Sequence, residues 1–110
     1  MPNYSANNVV LISYPFTKTS ESKVRPDIII STPHISKDIF TVPLTSKIDT
    51  LLPGEFIIEY WKAAGLNVVT AVKRGIYTVH ETLVIKIVGS LSEIDASSLK
   101  ASLASWIEIS

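Results

Sequence analysis

Few residues in this chain are equipped for chemistry. It has no cysteine, which removes a thiol nucleophile, a thiolate metal site and a disulfide framework at once. The four glycines, Gly54, Gly65, Gly75 and Gly89, are scattered, so no glycine-rich loop is present to cradle a phosphate. No His, Asp and Glu residues fall at metal-ligand spacing, and no serine sits in a nucleophile-elbow motif. His34 and His80 are far apart and both read as turn residues. What remains is a polar loop leading into Arg25-Pro26, and a Thr45-Ser46 pair. A guanidinium and a hydroxyl supply hydrogen-bond donors and a fixed positive charge. They are suited to holding an anion, and no proton carrier stands beside them in the sequence.

The elements that must position these residues are mostly strands. Val9 to Tyr14 is a short apolar run and reads as a first strand, followed by an exposed polar loop from Pro15 to Val24. Asp27 to Thr32 holds three consecutive isoleucines, which suits a strand buried on both faces. Pro33 to Lys37 breaks it, and Asp38 to Leu44 alternates as a third strand that Pro43 makes irregular near its end or places at an edge. Ile48 to Gly54 reads as a loop and Glu55 to Glu59 as a fourth strand. One helical turn over Tyr60 to Ala64 is stopped by Gly65. Leu66 to Val72, Ile76 to Val79 and Leu83 to Val88 complete the strands. Ser92 is a good N-cap with Asp95 in the first turn, and Leu99, Leu103, Trp106 and Ile107 fall on one helical face. Trp61 and Trp106 read as packing residues. The expected fold is a strongly bent antiparallel sheet with one C-terminal helix packed on it, in a single domain over residues 1–110.

A hairpin of the second and third strands, turning near Ile35 and Ser36, brings the two polar segments together. Arg25 then faces Ser46 and Pro26 faces Thr45, within one or two positions. His34 lies nine residues from Arg25, on the order of 30 Å along a straight strand, and cannot easily join them. On this geometry alone, the pair reads as a surface arginine and a strand-end threonine that are neighbours; a site there is the alternative.

Composition narrows the function. Hydrophobic residues make up 46% of the chain and charged residues 18%, an apolar balance that points to surface hidden in an oligomer. The formal net charge is zero, which argues against a generic nucleic-acid coat and leaves only a local basic patch. No apolar run approaches the roughly 20 residues of a membrane helix. The polar segment Met1 to Asn8 does not read as a signal peptide. The lack of cysteine fits a reducing compartment, so a cytoplasmic location is expected.

The order of several short motifs resembles one known family. Val9-Val10-Leu11-Ile12, Pro15-Phe16-Thr17 and Ser22-Lys23-Val24-Arg25-Pro26, with an apolar strand after them, resemble the opening of MazF/PemK proteins. Val42-Pro43-Leu44-Thr45-Ser46 resembles the family's apolar-Thr-Ser/Thr motif. Tyr60-Trp61-Lys62-Ala63-Ala64-Gly65-Leu66 and Ile87-Val88-Gly89-Ser90-Leu91-Ser92 match in type and order. Each motif is weak alone; their order and spacing from Val9 to Ile107 are more specific.

The resemblance implies an SH3-like barrel, usually a homodimer. It implies a sequence-selective endoribonuclease that cuts single-stranded RNA without a metal or cofactor and is held inactive by a cognate antitoxin. The family's central arginine corresponds to Arg25 and its strand-end threonine to Thr45, the pair that the hairpin register joins. Metal-free cleavage uses the neighbouring 2′-hydroxyl as nucleophile. Arg25 would then hold phosphoryl oxygens in the transition state, with one further hydrogen bond from Thr45. Lys18, Lys23, Lys47, Lys73 and Arg74 form a candidate basic track for RNA, with Ser20, Ser22 and Ser46 as further contacts.

Three features depart from the family pattern. Asn7-Asn8 replaces the Gly-Asp often found before the first strand, and the loop from Thr17 to Lys23 has no glycine. Some members carry a loop histidine together with an acid and an arginine on a later strand. Here that segment is Lys73-Arg74 without an acid, so activity by that second arrangement is not expected. Two other functions fit the same resemblance: a gyrase poison of the CcdB type, and a catalytically weak or inactive member that only binds RNA or an antitoxin. The Arg25 and Thr45 match favours the nuclease.

Overall fold

A computed structural model describes residues 4–15 and 22–108. Seven strands form one antiparallel sheet: β1 (Asn8–Pro15), β2 (Ser22–Ile29), β3 (Asp38–Thr45), β4 (Phe56–Ile57), β5 (Ala71–Val72), β6 (Tyr77–His80) and β7 (Val84–Ser90). The order of hydrogen-bonded neighbours is β4-β5-β3-β2-β1-β7, with β6 also on β3. A 3-10 turn spans Glu81–Leu83, and one helix, α1, spans Glu93–Trp106. The described strands trace an open, bent path that does not close between β4 and β7.

β3 is the hinge of the architecture. Its first half, Asp38 to Thr41, pairs with β6, and its last two residues, Leu44 and Thr45, pair with β5. Pro43 sits at the changeover, opposite Asp27 of β2. A proline has no N–H for a ladder. Its carbonyl still serves, accepting from the Lys73 amide at 2.9 Å. The expected irregularity thus takes the form of a change of partner within the strand.

Alternation along β1 to β3 sends side chains into two cores. Val9, Ile28, Val42 and Leu44 face one side, with Ile58, Ala64, Val72, Leu91 and Leu99 of the helix. Val10, Ile12, Ile29 and Ile39 face the other, with Tyr4, Val79 and Val84. The isoleucine run is therefore buried on both faces, as its composition implies.

The helix begins as expected. Ser92 Oγ accepts from the Asp95 amide at 3.1 Å. Asp95 is buried, and its carboxylate accepts from the Glu59 and Tyr60 amides at 2.8 and 3.0 Å. The acid of the first turn thereby ties the helix start to the segment after β4. Trp106 donates its indole N–H to the Pro53 carbonyl at 3.1 Å and packs on the helix-side core, while Ile107 caps the helix and is exposed. The turn after Tyr60 closes with the Ala64 amide on the Tyr60 carbonyl at 3.1 Å, and Gly65 follows at φ +89°. A Cβ at Gly65 would lie 2.1 Å from the Val88 carbonyl oxygen, so only glycine fits this contact.

Several boundaries differ from the sequence-based expectation. β2 starts at Ser22, so Arg25 and Pro26 lie inside the strand, because β1 pairs with it as far as Pro15↔Ser22. It ends at Ile29 and not at Thr32. The segments read as strands over Glu55–Glu59 and Leu66–Val72 shrink to Phe56–Ile57 and Ala71–Val72. Their only mutual ladder is two residue pairs long, Phe56↔Val72 and Ile57↔Ala71, and Val68 and Val69 remain exposed beside it. Apolar, β-branched composition there does not find a partner strand.

Candidate active site

The register of β2 and β3 decides what meets at the open end of their hairpin. Asp27 faces Pro43, Ile28 faces Val42 and Ile29 faces Thr41. Extended by two residues, this register sets Arg25 level with Thr45, one position from the expected Ser46. Residues directly opposite in an antiparallel pair share a face. The turn falls where expected: the Lys37 amide bonds the His34 carbonyl at 3.0 Å.

Two cavities adjoin this point. The first encloses about 530 Å³ and is lined by Lys23, Arg25, Thr45, Ser46, Lys47 and Lys73 among others. The second encloses about 720 Å³ and is lined by Tyr14, Arg25, Asp27, Thr45, Lys73 and Tyr77 among others. Arg25, Leu44, Thr45 and Lys73 belong to both, so they form the shared rim. The Thr45 hydroxyl accepts from the Lys47 amide at 3.1 Å, which orients it and keeps its own O–H for donation.

The other residues named from sequence divide into groups. Lys23, Ser46, Lys47 and Lys73 gather on the first cavity. Ser22 is the first residue of β2, opposite Pro15. Lys18 and Ser20 lie outside the described residues, as does most of the loop without glycine. Arg74 is exposed and lines neither cavity. Its amide donates to Glu55 Oε2 at 2.8 Å, while Glu55 Oε1 accepts from the Leu52 amide at 2.7 Å. The Arg74 amide above all, then that of Leu52, holds the Glu55 carboxyl below its usual range. Glu55 thus ties the loop at Leu52 to the backbone at Arg74.

His34 is a turn residue as expected, whereas His80 ends β6, paired with Asp38, and caps the 3-10 turn. His34 Nδ1 accepts from the Ser36 amide at 3.1 Å, and His80 Nδ1 accepts from the Thr82 amide at 3.2 Å. His34 lines neither cavity, whereas His80 borders the second.

The most informative group was missed from sequence. Asp27 is 1% exposed, two residues from Arg25 and so on the same strand face. Its Oδ2 accepts from the Tyr14 hydroxyl and, at 2.7 Å, from the Thr41 hydroxyl. Burial pushes its carboxyl up to about 6, against the opposing pull of Tyr14, Thr41 and the Arg25 charge. Burial also raises the Tyr14 phenol, helped by its bond to Asp27. The available signal was an acid heading a run of isoleucines: a carboxylate there must be buried and therefore partnered. Which residues partner it depends on β1 and β3, and so on the fold.

Among the described residues no group of three or more His, Cys, Asp or Glu side chains is placed to hold a metal ion. No described helix is long and apolar enough to cross a membrane.

Comparison with known proteins places this geometry. No curated protein matches the sequence. Among solved structures, one described as an endoribonuclease in complex with its cognate antitoxin from Mycobacterial species superposes with a TM-score of 0.75 at 15% identity, covering 97% of each chain. The Mycobacterium tuberculosis toxin MazF-mt6 superposes with a TM-score of 0.72 at 17% identity, over 94% of this chain and 98% of that one. An endoribonuclease from Mycobacterial species gives 0.72 at 15% identity, over 97% and 94%. These likenesses establish the fold: a mostly antiparallel sheet with a C-terminal helix, as in MazF toxin structures. A family model matches residues 6–107, and the chain belongs to the PemK-like, MazF-like toxins of type II toxin–antitoxin systems.

Proposed function

We propose that this protein is a sequence-selective, metal-independent endoribonuclease that cleaves single-stranded RNA and is restrained by a cognate antitoxin. The observation that carries the reading is the shared rim: in a member of this toxin family, Arg25 and Thr45 stand together where a cation-lined cavity meets an aromatic one. The reading is further supported by the fold's likeness to a solved endoribonuclease held with its antitoxin.

The chemistry follows from the residues. The 2′-hydroxyl oxygen bonds to the adjacent phosphorus, the bond from phosphorus to the 5′-oxygen breaks, and a proton moves from the first oxygen to the second. The products are a 2′,3′-cyclic phosphate and a 5′-hydroxyl. Negative charge gathers on the phosphoryl oxygens in the transition state. Arg25 offers a planar, permanently charged fork to two of them, and Thr45 donates one more hydrogen bond. Lys23, Lys47 and Lys73 attract the flanking phosphates locally, although the chain is neutral overall.

The test is incubation of the purified protein with a long single-stranded RNA in EDTA, followed by mapping of the ends. Cyclic phosphate and 5′-hydroxyl ends at a recurring motif are expected. Activity that vanishes in EDTA and returns with magnesium would overturn the metal-free mechanism. We also propose a homodimer, which fits large exposed apolar residues such as Val24, Phe40 and Ile85; light scattering at micromolar concentration is expected to give twice the chain mass.

A further inference from the structure

The larger cavity is built for something other than a phosphate backbone. The smaller one has no acid and no aromatic residue among its lining, and it has four cations, Lys23, Arg25, Lys47 and Lys73. The larger one adds two tyrosine rings, the His80 imidazole and one buried carboxylate to the shared rim. The Tyr77 side chain is half-exposed, and its ring meets that of Tyr14 edge-on, with centroids 6.2 Å apart and planes at 73°. A Cβ built on Gly75 would lie 3.4 Å from the Pro43 ring and 3.8 Å from Tyr77 Cζ. Gly75 thus stands close to both the Pro43 and the Tyr77 rings, and Tyr77 lines the cavity with about half of its surface exposed. A half-exposed aromatic ring beside a phosphate-holding arginine is the recurring platform for an unpaired base.

The buried acid gives this platform chemical selectivity. Tyr14 and Thr41 both donate their hydroxyl hydrogens to Asp27 Oδ2. With its hydrogen committed, the Tyr14 oxygen is left as an acceptor. An acceptor at this point pairs with an exocyclic amino group and opposes a carbonyl. Adenine N6 and cytosine N4 place such an amino group at the outer corner of the Watson–Crick edge, where uracil O4 and guanine O6 place a carbonyl oxygen.

We propose that this cavity takes the base of the nucleotide next to the scissile phosphate, stacked on Tyr77 and selected by the Tyr14 oxygen for adenine or cytosine over uracil. The assignment rests on the endoribonuclease reading only for the position of the phosphate at Arg25 and Thr45. Asp27 is a positioning residue in this scheme, since it acts by fixing the direction of the Tyr14 hydroxyl.

Two measurements test the assignment and separate it from the reading it builds on. In the first, a randomised single-stranded RNA is cut and its ends are sequenced. The wild type is expected to prefer adenine or cytosine at one nucleotide flanking the cut. Tyr77→Ala is expected to cut about tenfold less efficiently and with a flattened preference there, from loss of stacking. Tyr77→Phe keeps both rate and preference. Tyr14→Phe is expected to lower cleavage at adenine and cytosine sites several-fold and leave uracil sites as they are, so that the discrimination is lost. In the second measurement, binding of a short RNA to Arg25→Ala protein is followed by fluorescence anisotropy, with one abasic position scanned along the strand. One abasic position is expected to weaken binding to that protein about tenfold, and to have no effect once Tyr77→Ala is added. RNA that is bound with this pattern but never cut by the wild type refutes the nuclease reading and leaves the base pocket standing. Unchanged cleavage preference and unchanged binding in Tyr77→Ala overturn the base pocket while the nuclease stands. Absence of any RNA binding overturns both.

Discussion

The two faces of the β1–β2–β3 sheet have the same isoleucine- and valine-rich strands and different fates. The face under α1 is sealed: Val9, Ile28, Val42 and Leu99 pack together, with Leu103 and Trp106 of the helix closing over them. The opposite face has a smaller apolar core around Val10, Ile12, Ile29 and Ile39. No helix covers it among the described residues, and it ends in a polar cluster of Asp27, Tyr14 and Thr41 at the rim of a cavity. The lesson is a division of labour. One face supplies stability by burying hydrocarbon, and the other tolerates a buried acid because the groups it orients stand at the site.

If that division holds, the largest effect on activity comes from the rim and leaves the fold untouched. Arg25→Ala is expected to lower the cleavage rate by at least about 10²- to 10³-fold, the typical cost of one lost oxyanion donor. Arg25→Lys is expected to recover little, because an ammonium cannot make the bidentate contact. Arg25 is exposed, so the thermal melt of either variant should barely shift. An Arg25→Ala protein that folds and cuts RNA near the wild-type rate would remove Arg25 from the mechanism.

The sealed face should show the reverse behaviour. Leu99 is 2% exposed in the helix-side core, so Leu99→Ala is expected to destabilise the protein by about 2–5 kcal/mol. Cleavage measured well below its melting temperature should remain near that of the wild type. A large rate loss in a protein still folded by circular dichroism would show that the two faces are coupled.

The buried acid sharpens the comparison through pH. The folded state raises the Asp27 carboxyl from an ordinary 3.8 to about 6, chiefly by burial, so it holds the proton more tightly than the unfolded chain. Its contribution to stability is therefore complete below about pH 4 and is lost as pH rises through 6. The loss is on the order of 2–3 kcal/mol. Asp27→Asn cannot ionise and should flatten this part of the profile, as read by urea unfolding between pH 4 and 8. A wild-type stability that rises across the same window, with the Asn variant parallel to it, would show that Asp27 is not the group responsible.

The smallest effect is expected at Thr45. Thr45→Ala removes one neutral hydrogen bond, about 1 kcal/mol or several-fold in rate, and Thr45→Ser should lie closer to wild type because the hydroxyl remains. Equal loss in the two variants would assign the threonine's role to its methyl group and to packing at the β3–β5 junction.

How much of this was legible beforehand follows from the range of the interactions. The helix was readable because its cap and stripe are local: Ser92 bonds the amide three residues on, and Leu99, Leu103 and Trp106 repeat at the helical period. The neighbourhood of Arg25 and Thr45 was readable because one hairpin turn sets a whole register, and an error of one residue in the turn still leaves them adjacent. The extents of β4 and β5 were not readable, since a strand exists only where a partner lies alongside, and composition does not report the partner.

What tertiary structure alone decided is the company of each polar group. The sequence by itself determined that Asp27 heads a buried apolar run and that Arg25 stands two residues before it. It could not say that Tyr14 of β1 and Thr41 of β3 would both point their hydroxyls at Asp27, or that Tyr77 of β6, 52 positions beyond Arg25, would stand across the same cavity. Nor could it place Glu55 against the Arg74 amide. A buried carboxylate demands partners by its desolvation cost, and that demand is local and visible in the residue type. Which partners answer it depends on how the strands are ordered in the sheet, and that order is settled only when the long-range pairs β1–β7, β3–β5 and β3–β6 have formed.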